Sequence, residues 1–150
     1  MLSEPRNLYY KYLFAIMFPA EIITTGRVVM TNKELILKFY DEVFNSWDVS
    51  NIREYMREDY MQHSAGVEDG LEGFLKFADV FLAMKPHMEI YNVLENENHV
   101  ALFFKCTLEN GMENKVMDLY RIEGGKLAEH WDVVEHDIGG KKSKSGRELF

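Results

Sequence analysis

A chain of 150 residues is long enough for one domain with its own core and too short for two. Hydrophobic residues at 47% and charged residues at 28% are globular proportions, which excludes wholesale disorder. A formal net charge of −8 repels phosphate backbones and argues against a nucleic-acid partner; no stretch approaches the ~18–20 apolar residues of a membrane-crossing helix.

Residues 1–29 carry an apolar run, Tyr12 to Phe18, that stops at Pro19. It is too short to span a bilayer and lacks the small-residue site of a cleaved leader. Met30-Thr31-Asn32-Lys33-Glu34 reads as the natural start of a main domain at 30–138, so residues 1–29 are expected to be an extension outside it. Thr31 with Glu34 is a capping box. The stripe behind it, Leu35, Ile36, Phe39, Tyr40, Val43, Phe44 and Trp47, predicts an amphipathic helix. Asp48 or Ser50 is placed to cap a short second helix carrying Val49, Ile52, Tyr55 and Met56. Tyr60-Met61-Gln62-His63 comes next, then a loop. Asp69 with Glu72 opens a third helix with Leu71, Phe74, Leu75, Ala78, Phe81 and Leu82 on its apolar face, before Pro86.

From here the period changes to two. Strands are expected at Met88–Leu94, His99–Leu108, Lys115–Ile122 and Lys126–Val134. Turn residues separate them, among them Asn110-Gly111 and Gly124-Gly125. Helices first and a meander after is an α+β layout: a curved antiparallel sheet with the N-terminal helices packed on its concave face. Residues 139–150 hold Lys141, Lys142, Lys144 and Arg147 among Gly and Ser, and are expected to be a solvated, frayed basic tail. The single cysteine, Cys106, excludes an internal disulfide. It fits a reducing, cytoplasmic setting, and its strand position suggests a buried structural thiol.

Alternation on the last strand places Ala128, His130, Asp132 and Val134 on one face, and Leu127, Trp131 and Val133 on the other. A histidine two residues from a carboxylate on one face is a usable proton-transfer pair near neutral pH, or simply a solvated strand face. On the third strand Val116, Asp118, Tyr120 and Ile122 share a face opposite Arg121, so Asp118 and Arg121 do not form one site without a bulge. Asp118, among apolar neighbours, is either a buried structural carboxylate or part of the chemistry. His63 is the third candidate, able to meet His130 at the mouth of a cone or to serve only as a turn residue. His130, Asp132 and His136 share parity, but positions along one strand are nearly collinear and wrap a small ion poorly, so no metal is expected. No phosphate-cradling glycine loop or nucleophile elbow occurs.

Taken in order, these segments resemble the SnoaL-like polyketide cyclase family of the nuclear-transport-factor-2-like superfamily. The resemblance runs from about Thr31 to Ile138. It is carried by Glu34 to Tyr40, Tyr60-Met61-Gln62-His63 with Asp69-Gly70, Met117 to Ile122, Gly125-Lys126-Leu127 and Glu129-His130-Trp131-Asp132. Where the family often continues Gln-His with Asn-Pro, this chain has Ser64-Ala65. The resemblance implies a cone around an apolar pocket, a homodimer, and no cofactor. It implies acid–base chemistry, such as intramolecular aldol ring closure, on a small hydrophobic carbonyl-containing ligand; ketosteroid isomerase and scytalone dehydratase share the fold with other substrates. It places His63, His130, Asp132 and Asp118 as catalytic candidates, with Arg121, Trp131 and Tyr120 toward substrate. A non-catalytic binding or scaffold protein of the same fold is the alternative.

Overall fold

The computed structural model describes residues 30–150. The readings made for residues 1–29 lie outside the described residues.

Helix α1 spans Asn32–Phe39 and begins as its sequence predicts. The Thr31 hydroxyl accepts from the Glu34 amide at 3.2 Å, and the Glu34 carboxylate accepts from the Thr31 amide at 2.8 Å. Beyond Phe39 the helix widens into a π-helical stretch, Tyr40–Asn45. The spacing of the apolar residues explains this. Leu35, Phe39 and Val43, like Ile36, Tyr40 and Phe44, repeat every four residues, and a 3.6-residue turn would let both columns drift off the core. The wider turn keeps all six buried. Trp47 leaves the stripe with a φ of 55° and donates its indole N–H to the Pro86 carbonyl at 2.8 Å.

Helix α2, Ile52–Tyr55, is a single turn headed by Asn51 rather than by Asp48 or Ser50. Asp48 instead accepts from the amide and hydroxyl of Ser50. Met56, expected in that helix, starts strand β1, Met56–Gln62. Helix α3 covers Gly70–Leu82. Strands β2 (His87–Asn96), β3 (His99–Thr107), β4 (Glu113–Glu123) and β5 (Lys126–Glu135) lie within two residues of their expected bounds, and β2 reaches Asn96 through part of the expected turn.

The sheet order is β1-β5-β4-β3-β2. β2 to β5 form the antiparallel meander, but β1 pairs parallel with β5, so the sheet is mixed rather than wholly antiparallel. The fold is α+β, as the sequence suggests. Val100, Leu102, Phe104 and Cys106 of β3 and Val116, Tyr120 and Ile122 of β4 bury one face under the helices. Phe39 sits at the centre, its ring 5.2 Å from Phe44, 5.7 Å from Tyr55 and 6.2 Å from Tyr120. Full burial of one such side chain is worth roughly 1.5–3 kcal/mol.

Two local departures matter. The register steps from Arg121↔Glu129 to Ile122↔Leu127, so Ala128 is an extra residue on β5. This bulge turns Leu127 inward, away from the face alternation alone assigns it, and both Leu127 and Ala128 are buried. The tail also differs from the frayed terminus expected. Lys142 bridges to Glu148, and Phe150 stacks on Tyr91 at 4.6 Å, beside Phe103, on the outer face of the sheet.

Candidate functional site

Between the helices and the covered face of the sheet lies a cavity of about 230 Å³. Phe44, Phe74, Phe77, Phe81 and Phe104 supply its apolar wall. Two neighbouring strands supply polar groups to it, Asp118 and Tyr120 from β4 and His130 and Asp132 from β5, with His136 just beyond β5. The pleat dictates this, because Asp118 pairs with Asp132 and Tyr120 with His130 across the ladder. Among the described residues no lysine or arginine lines the cavity.

Asp118 is 6% exposed and His130 is 7% exposed. Tyr40, from the π-helical stretch, donates its phenol to Asp118 Oδ2, and Tyr120 donates to the same oxygen at 3.4 Å. The two phenols also touch at 3.2 Å. Burial, with the Asp118 charge second, pushes both phenols well above their ordinary value, so they stay protonated and act as donors. Burial does the same to Tyr60, seconded by Asp118 and Asp132. The His130 ring stacks on Tyr120 at 4.5 Å. Its Nε2 lies 3.5 Å from Asp118 Oδ2 and, among the described residues, makes no hydrogen bond. A buried ring nitrogen without a partner, in an apolar cavity beside two carboxylates, is an arrangement suited to proton transfer.

The resemblance places His63, Arg121 and Trp131 at this pocket, and they do not line it. They lie on the opposite side of the sheet. His63 stacks on Trp131 at 4.7 Å and contacts Glu129 Oε1 at 2.9 Å. Arg121 donates to Glu129 Oε2 at 2.8 Å and to Glu123 at 2.9 Å. These partners, Arg121 first and His63 second, hold the Glu129 carboxyl below the usual carboxylate range. The physical reason is the alternation of β1. With Tyr60 and Gln62 inward, Met61 and His63 turn outward. Once Tyr60-Met61-Gln62-His63 is a strand and not a turn, the same rule that placed His130 excludes His63.

Gln62 is the residue the sequence reading passed over. Its side chain lines the cavity and reaches His130 Nδ1 at 2.8 Å. Ser64, Tyr40 and Tyr60 were missed as lining residues too. The available signal was the parity of Tyr60, Gln62 and Ser64, readable only if the segment is extended. Three His, Cys, Asp or Glu side chains do not gather as a metal cluster among the described residues. No helix there is long and apolar enough to cross a membrane.

Fold and cavity together define a cone-type α+β pocket protein whose cavity is lined by buried histidine, aspartate and tyrosine side chains. The family model of SnoaL-like polyketide cyclases matches residues 34–136, and the chain belongs to that family. No functionally curated protein matches it by sequence. Among solved structures it is similar to a SnoaL-like polyketide cyclase from Agrobacterium tumefaciens, with 18% identity, TM-score 0.57, and coverage of 68% of this chain and 89% of that one. It is similar to an NTF2-like protein of unknown function from Cytophaga hutchinsonii, with 19% identity, TM-score 0.60 and coverage of 75% and 96%. TsrD from Streptomyces laurentii gives 14% identity, TM-score 0.59 and coverage of 70% and 91%. At these identities the likeness concerns the fold.

Proposed function

We propose that the protein is a cofactor-independent acid–base catalyst of the cyclase, lyase or isomerase kind, acting on a small, apolar carbonyl compound. The observation that carries this reading is the unpartnered Nε2 of buried His130, in an aromatic cavity that Asp118 and Asp132 also line. His130 or Asp132 removes a proton α to the carbonyl. Asp118, held by Tyr40, stands 3.5 Å from His130 Nε2 on the cavity side of the ring. His63, outside the cavity, takes no part. A general base in place contributes ~10²–10⁴-fold in rate.

The test is exchange of α-protons for deuterium, monitored by NMR on a panel of aryl ketones and 1,3-diketones. His130→Ala and Asp132→Asn are each expected to lower the exchange rate of an accepted ketone by about 10²-fold or more. Both variants matching the unaltered protein would remove the catalytic reading. The same cavity would then be a binding site, which its aromatic wall serves equally well.

The single buried thiol supports a cytoplasmic setting. A homodimer is proposed as well, since Met117, Leu119 and Val133 leave an apolar strip exposed on the outer face of the sheet. Sedimentation is expected to give twice the chain mass, and Val133→Glu to return it to one.

A further inference from the structure

We propose that Gln62 is a positioning residue: its side-chain oxygen fixes His130 as the Nδ1–H tautomer and so reserves Nε2 as the atom that takes up the proton. This rests on the acid–base reading of the cavity for its catalytic consequence, but not for its structural claim.

Three contacts converge on Gln62 Oε1. The amide of His63 lies at 3.0 Å, the amide of Ser64 at 3.1 Å and His130 Nδ1 at 2.8 Å. Backbone amides only donate, so the atom facing them is the amide oxygen and not the nitrogen; this settles which way the side-chain amide is turned. An oxygen only accepts, so Nδ1 must bring the hydrogen. In the neutral ring one nitrogen carries the proton and the other a lone pair. Nε2 is therefore bare when the ring is neutral. That matches its surroundings, where it makes no hydrogen bond and the nearby Asp118 Oδ2 already accepts from Tyr40 and Tyr120.

Gln62 is itself held on both sides. Its backbone pairs with His130 in the parallel β1–β5 ladder, and its backbone N–H donates to Asp69 Oδ1 at 2.8 Å. Asp69 stands at the head of α3 but makes no side-chain cap to that helix, so its carboxylate serves the strand instead. The chain thus fixes the Gln62 acceptor from β1, from the loop after it and from the start of α3. The proton balance is closed. The substrate C–H bond breaks, its electron pair becomes the enolate, and its proton forms an N–H bond on Nε2. The imidazolium returns that proton to the product.

The test reads tautomer and turnover separately. In protein labelled with ¹⁵N at histidine, two-bond ¹H–¹⁵N correlation spectra are recorded without substrate at about pH 8, above the ordinary imidazole value. The His130 signals are identified by their loss in His130→Gln. The expected spectrum shows a protonated Nδ1 and a bare Nε2. Gln62→Met, which removes the acceptor, is expected to move the proton to Nε2. Gln62→Glu, which keeps an acceptor, is expected to leave it on Nδ1. If Gln62→Met does not fold, the spectra of the unaltered protein and of Gln62→Glu decide the matter. A bare Nδ1 in the unaltered protein, or an unchanged tautomer in folded Gln62→Met, would overturn the assignment. On an accepted ketone, kcat of Gln62→Met is expected to fall about 10- to 100-fold with KM nearly unchanged, and Gln62→Glu to recover most of the loss. A loss confined to KM, or no loss, would overturn the positioning role while leaving the acid–base reading to the His130 and Asp132 variants.

Discussion

Tyr40 shows how one side chain joins the core to the chemistry. Its ring is part of the aromatic cluster, edge-on to Phe44 at 5.2 Å and to Phe104 at 5.3 Å, while its phenol holds Asp118. The π-helical stretch that begins at Tyr40 keeps the ring on the core face. Tyr40→Phe keeps the ring and removes only the donor. The buried carboxylate is then left with Tyr120, whose contact at 3.4 Å is long for a hydrogen bond. Hydrogen bonds to charged groups contribute about 1.5–3 kcal/mol, so the variant is expected to unfold at lower urea concentration by that amount of stability. A midpoint equal to that of the unaltered protein would mean that Asp118 does not depend on this donor.

At the scale of elements, the inward faces of β3 and β4 and the shared face of His130 and Asp132 were legible, because alternation is strict wherever one face is buried. β1 was not. Met56-Arg57-Glu58-Asp59-Tyr60 carries three adjacent charges and lies at the edge of the sheet, where only alternate residues meet the core. The bulge at Ala128 was also hidden, since Leu127 and Ala128 both suit either face. Every misplaced site residue comes down to sheet geometry of this kind. His63 reads as a turn residue when it is the continuation of a strand. Trp131 and Arg121 obey the alternation that already set them opposite His130 and Asp118, and only the family resemblance brought them to the pocket. Within α3 a different constraint is visible. A Cβ on Gly73 would lie 2.2 Å from the Glu68 carbonyl oxygen, so the loop from His63 to Asp69 presses directly on the helix backbone. In an open helix Gly→Ala gains about 1 kcal/mol. Here Gly73→Ala is expected to destabilise the protein by roughly 1–3 kcal/mol, because the carbonyl must move. Thermal unfolding checks it; an equal or higher midpoint would show that the loop yields freely.

The whole molecule concentrates protonated, buried acids on one side of the sheet, and its stability should report them. Tyr40, Tyr55, Tyr60 and Tyr120 are four of eight tyrosines, and all four are buried and bind their protons more tightly folded than unfolded. Cys106, in the wall of the same cavity, is pushed by burial to about 11. A group whose value is raised on folding contributes its stability in full below its unfolded value, and that contribution drains away as pH climbs toward the folded value. The window is therefore alkaline. It opens near the ordinary thiol value of about 8.5 for Cys106 and near the ordinary phenol value of about 10 for the tyrosines. Phenolate absorbance and far-ultraviolet circular dichroism, recorded over the same alkaline titration, are expected to divide. Tyr91, exposed on β2, should ionise while the secondary structure is intact. The buried four should ionise only as it collapses, in one cooperative step with the Cys106 thiol becoming open to alkylation. Ionisation of all eight tyrosines in an ordinary, reversible step with the fold intact would mean that water reaches the Tyr40–Asp118–Tyr120 cluster. The apolar cavity around His130 would then not keep water from the ring.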